Sequence, residues 1–85
     1  MNTVSIIGIL KEKIDDNFRY FLYELPFDEE NNEAETKIVV KNWTNLPNSR
    51  LLVLPNNTRV AIEGHLDAHK KYGTILVVSQ VQVLR

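Results

Sequence analysis

The stretch VAIEGHLDAHKKYGTILVVSQVQVL, Val60 to Leu84, contains two alternating runs joined by a short basic turn. In the first run Val60, Ile62, Gly64 and Leu66 fall on one face, and Arg59, Ala61, Glu63, His65 and Asp67 on the other. A period of two marks a half-buried β-strand. Lys70-Lys71-Tyr72-Gly73 is turn chemistry, and Thr74 to Leu84 is rich in β-branched residues. The stretch reads as a β-hairpin that closes the chain, with two lysines and a tyrosine at its tip.

Working back from the hairpin, Asn2 to Ile14 is a β-branched run with Gly8 in its middle. A glycine inside a strand pattern suggests a bulge or bend, as barrels use at corners. Ile14 to Asn17 is a turn. Phe18 to Leu25 is an aromatic-rich strand that Pro26 ends, and Phe27 to Glu35 is a long acidic loop. Thr36 to Trp43 is a third strand. Thr44 to Asn57 lacks alternation: Pro47 suits the first turn of a short helix, Asn45 is its candidate cap, and Pro55 with two asparagines stops it. The order is three strands, a short helix and a two-stranded hairpin. That is the order of an all-β, five-stranded OB-fold, a Greek-key barrel with a short helix between strands 3 and 4. A single such domain is expected over residues 1–85. These barrels bind oligonucleotides on the face of strands 2 and 3 and through the loops joining strands 1–2 and 4–5.

A chain of 85 residues buries only about 60% of its unfolded surface, so a closed barrel or an oligomer is a natural way to gain burial. There are no cysteines, which rules out disulfides and thiolate metal sites. The opening MNTVSIIGILKEK lacks the basic region and cleavage site of a signal peptide. No run approaches the ~20 apolar residues of a membrane span. A cytoplasmic protein without a membrane partner is expected. Net charge is −1, which by itself weighs against a nucleic-acid partner. The distribution weighs the other way: residues 1–35 hold nine acids and three bases, residues 36–85 two acids and seven bases. Five of the acids lie in Asp28 to Glu35, so an acidic loop and a basic face can coexist.

Four stretches carry a family likeness. NTVSIIGIL resembles the opening strand of bacterial single-stranded DNA-binding proteins, VVKNWTNL their third strand and its exit, RVAIEGHL their fourth strand, and LVVSQVQVL their closing strand. The four come in the family's order and cover nearly the whole chain. The chain also resembles the family's short primosomal relative, a dimer that is essentially a bare OB domain. Members usually have a longer first half, a glycine at the turn where this chain has Trp43-Thr44-Asn45, and a more basic segment before Leu66. They also end in an acidic tail that recruits partners. Here Arg85 follows directly on the last expected strand, so recruitment through such a tail is not expected. The resemblance implies single-stranded DNA as ligand, a homodimer or homotetramer formed through the first strand, and replication proteins as further partners. An open edge on that strand would favour self-pairing.

Single-strand binding needs a basic groove for the backbone and flat rings on which bases stack. On the third strand Lys37, Val39, Lys41 and Trp43 share one face, with Ile38 and Val40 opposite. The resemblance places a base-stacking aromatic at Trp43; packing against the helix is the competing reading. On the second strand Tyr20 occupies one face and Arg19, Phe21 and Tyr23 the other. The pattern alone does not settle which face is outside. Arg19, Phe21 and Tyr23 are taken as the ligand set, because Arg19 would otherwise be buried. Lys70, Lys71 and Tyr72 at the hairpin tip complete the candidate set with Arg59.

His65 and His69 lie roughly 13 Å apart along a strand and cannot share an ion, so no metal is expected. No cofactor or catalytic site is expected either. The three glycines are isolated and form no phosphate loop, and no serine sits in a nucleophile elbow. Two other binding readings remain at this level: a protein-interaction module that kept the fold without a nucleic-acid ligand, and an RNA-binding barrel.

Overall fold

The computed structural model describes residues 3–23, 37–44, 46 and 49–84. Five strands, β1 (Val4–Lys13), β2 (Phe18–Tyr23), β3 (Lys37–Asn42), β4 (Arg59–His69) and β5 (Gly73–Val83), close into one barrel in the order β1-β2-β3-β5-β4. The β3–β5 pair is parallel and the other pairs are antiparallel. Among the described residues one helix, α1 (Arg50–Val53), stands between β3 and β4. This is the expected OB-fold topology. The acidic loop with Pro26, and the proposed helix residues Asn45 and Pro47, lie outside the described residues.

The barrel interior is filled by Leu10, Phe21, Val40, Val60, Ile62, Leu76 and Val78, with Leu51 of α1 packed among them. A helix of four residues has almost no stability of its own. Its burial of Leu51 and Leu52 fixes it to the barrel. The residue at its N-cap is Ser49, whose carbonyl accepts the Leu52 and Val53 N–H groups.

Two details of register correct the sequence reading. The irregularity of β1 lies between Leu10 and Lys13, not at Gly8. Gly8 is instead a point of close approach, paired with both Tyr23 of β2 and Val60 of β4. A Cβ there would strike the Leu22 carbonyl and come within 2.7 Å of the Phe21 ring. The second detail is a bulge in the closing hairpin: Glu63 pairs with Gln80 but Gly64 pairs with Val78, leaving Ser79 as the extra residue. Past the bulge Leu66 keeps the inward register, opposite Leu76, yet is 41% exposed.

Closure pairs β1 on both sides only at Gly8 and Ile9; among the described residues Val4–Ile7 pair with β4 alone, which keeps the open edge expected on β1. The strand is paired to β4 over Val4–Ile9 and to β2 from Gly8 onward.

Candidate nucleic-acid interface

The cross-strand register fixes the outer face of the β2–β3–β5 wall. Phe18 lies opposite Lys41, Tyr20 opposite Val39, and Leu22 opposite Lys37. Across the parallel pair Val39 lies beside Ile75 and Lys41 beside Val77. Residues directly opposite each other share a face. A second apolar cluster results, outside the barrel: Phe18, Val39, Ile75 and Val77 are buried, with Ile14, Tyr20 and Tyr72 packed around them. The face is a floor of aliphatic side chains edged by rings and amines.

Each edge group has a defined setting. The Lys37 ammonium sits 4.7 Å above the centre of the Tyr20 ring, a cation–π contact that keeps its charge beside a flat surface. Lys41 is half-buried between Phe18 and Val77. Trp43 follows β3, and its backbone N–H donates to the Val78 carbonyl at 2.9 Å, extending the ladder by one step. Its backbone is therefore fixed while its ring is 62% exposed.

At the hairpin tip His69 organises the turn. Its Nδ1 accepts the backbone N–H groups of Lys71 (3.1 Å) and Tyr72 (3.3 Å). Tyr72 stacks on the His69 ring at 5.1 Å and 24°, and both rings meet Phe18 at 5.0 Å. Tyr72 is accordingly half-buried, not a free exposed ring, and the Lys71 ammonium lies 5.5 Å from its centre. Lys70 and Lys71 are exposed.

Arg19 and Phe21 are corrected. They pair with Val40 and Ile38, so they point into the barrel, and both are buried. The interior accepts Arg19 because uncharged oxygens meet it. Nε and one terminal nitrogen donate to the Lys11 carbonyl at 2.9 and 2.7 Å. That terminal nitrogen also donates to Asn56 Oδ1 at 3.0 Å, and the other donates to the Leu51 and Leu54 carbonyls at 2.9 and 2.8 Å. Burial lowers the Arg19 pKa below the ordinary guanidinium value. Tyr23 is half-buried against the main core, on the same strand face as Arg19 and Phe21. Arg59 is exposed, but it pairs with Ile9 at the opposite end of β4 from His69, ten residues and about 33 Å away along the strand. It does not join the lysines of the tip.

Sequence reasoning missed Tyr20, Phe18 and His69. The available signal was the period of two on β2, which links Phe18, Tyr20 and Leu22. Placing Arg19 outside puts that period on the wrong face, because oxygens that make its burial tolerable lie 32 to 37 residues away in the chain.

No protein-family model and no curated protein matches the chain. Solved structures do, among them the following two. The dimeric N-terminal domain of PriB protein from Thermoanaerobacter tencongensis is 21% identical, with a TM-score of 0.60 over 99% of this chain and 97% of that one. The second single-stranded DNA-binding protein, SSBb, from Mycobacterium smegmatis is 16% identical, with a TM-score of 0.61 over 96% of this chain and 87% of that one. At these identities the likeness is one of fold.

Proposed function

We propose that this chain binds single-stranded DNA with little sequence preference, stacking bases on exposed rings and neutralising phosphates with amines, in replication, recombination or repair. The observation that carries the reading is the β2–β3–β5 outer face: a buried apolar floor with Trp43, Tyr20 and Tyr72 at its edges and Lys37, Lys41, Lys70 and Lys71 beside them. Rings and aliphatic carbons accept any base face, while few groups on the floor can read base edges. The fold shared with a single-stranded DNA-binding protein supports the reading. A homodimer is proposed with it, supported by the dimeric state of the PriB domain.

Trp43 is the chain's one tryptophan, so its fluorescence reports the interface directly. Titration with oligo-dT should quench it, and Trp43→Ala should cost about 1–3 kcal/mol of binding. Four amines displacing counterions give a log–log salt slope of about −2.8, or roughly a fifty-fold loss of affinity between 50 and 200 mM salt. Unchanged fluorescence at low salt would show that the face does not bind strands. Preference for oligo-U in competition would move the reading to RNA.

A further inference from the structure

Two loop tips meet beside the candidate interface, and a carboxylate lies between them. Asp15 belongs to the loop joining β1 and β2. Its Oδ1 accepts the backbone N–H groups of Asn17 (2.8 Å) and Phe18 (3.1 Å), which locks the turn and fixes the carboxyl group. Its Oδ2 accepts the Tyr72 hydroxyl across the gap at 3.3 Å. The Asn17 N–H holds its pKa below the usual 3.8, against an opposing effect of burial. Phe18, Tyr72 and the Lys71 charge act in the same direction as Asn17. Asp15 is therefore a fixed anion at neutral pH.

That anion is held against a phenolic hydroxyl under the influence of an ammonium group. These are the donors a phosphodiester oxygen takes from a protein. The Tyr72 ring is braced by His69 and Phe18, so its hydroxyl is aimed and not free to swing. At 3.3 Å the contact is longer than a good O–H···O bond, so a competing oxygen can replace it at small cost.

We propose that Asp15 is a built-in competitor for a phosphate site formed by the Tyr72 hydroxyl and the Lys71 ammonium, displaced when a nucleic-acid backbone occupies the hairpin tip. The inference rests on the single-strand reading above. It assigns the loop between β1 and β2 an opposing role at the site, with the neighbouring Asp16 only adding diffuse charge.

Asp15→Asn tests it, because asparagine keeps the Oδ1 acceptor for the two backbone N–H groups and removes the charge. Asp15→Asn should bind oligo-dT about three- to tenfold tighter than wild type at low salt. Asp16→Asn makes the same charge change and should give a smaller gain. In a Tyr72→Phe background the Asp15→Asn gain should disappear. On wild-type protein, the carboxyl carbon signal of Asp15 should move on saturation with oligo-dT; this readout needs no variant to fold. Equal gains from both asparagine variants, a gain that survives Tyr72→Phe, no gain, or an unmoved Asp15 signal would each overturn the proposal. When wild type binds, those results leave the single-strand reading intact. Absence of binding by wild type and all variants removes that reading and this one together.

Discussion

Arg19 carries five N–H donors, and every one meets an uncharged oxygen: the Lys11, Leu51 and Leu54 carbonyls and the Asn56 side chain. These acceptors come from β1, from the helix and from the turn after it. A group 1% exposed thus ties three separate segments to β2. Burying a charge is costly unless its hydrogen bonds are complete, and here the fork geometry of a guanidinium completes them. Lysine at this position keeps the charge but has three donors on one atom, so at least two of the five hydrogen bonds are lost and at least one of the four acceptors is left unmatched. At about 1–3 kcal/mol for each unmatched buried group, Arg19→Lys should lower stability by about 3 kcal/mol. That is a large share of the ~5–15 kcal/mol that holds a domain together. Urea unfolding should show an earlier midpoint with the slope unchanged. Affinity of the folded fraction for oligo-dT should not move, because Arg19 does not reach the outer face. An unchanged midpoint would show that Arg19 is not the hub described.

At the scale of elements, the bulge in the closing hairpin sets which face of β5 is which. Val81 and Val83 pack toward the main core; after the extra Ser79 the inward positions become Val78 and Leu76. Ile75 and Val77 are thereby released to the outer floor beside Val39. A one-residue slip would exchange the two sets and dismantle both clusters. Gly64 permits the bulge, since a Cβ there would strike the Val77 carbonyl and come within 2.9 Å of the Val78 Cα. Backbone atoms cannot rotate away as a flexible side chain can, so Gly64→Ala should cost about 1–3 kcal/mol in urea unfolding. Wild-type stability in that variant would mean the hairpin has slack that the contact distances deny. The same hairpin shows what the sequence made legible. Strand order, the place of the helix and the closing hairpin follow from local periodicity and from Pro and Gly punctuation. The lysines of β3 follow too, because Ile38 and Val40 mark the inner side. The face of β2 was not legible, since it depends on pairing Phe21 with Ile38 and on oxygens 32 to 37 residues beyond Arg19. The half-burial of Tyr72 was hidden for a similar reason: Phe18 reaches it only across the folded sheet.

For the whole molecule, barrel order relates the two surfaces that function would use. In the closed order β1-β2-β3-β5-β4, β1 is two strands from β3 by way of β2 and two strands from β5 by way of β4. The β3–β5 part of the floor therefore lies across the barrel from β1, while its β2 part adjoins β1. An oligomer built on β1 would leave the β3–β5 part of the candidate interface clear and turn two such faces outward. Among the described residues Val4–Ile7 of β1 pair with β4 alone, and that open stretch favours self-pairing. The outer face of β1 offers a second argument: Ile7 is 42% exposed there, with Ser5 two residues before it. A barrel with a Cα radius of gyration of 12.4 Å has little interior to spare, so covering such a face is a real gain. Two outward faces on one body make the second contact with a long strand intramolecular, which raises avidity by about 10²–10⁴ when the strand spans both. Ile7→Lys places a charge in the proposed contact and should give a monomer by sedimentation where wild type is a dimer. The same variant should bind short oligo-dT as wild type does and lose at least about tenfold on strands long enough to reach both sites. Equal loss on short and long strands would mean Ile7 acts through the fold. A wild-type monomer at every concentration would remove the dimer, and with it the bivalent grip.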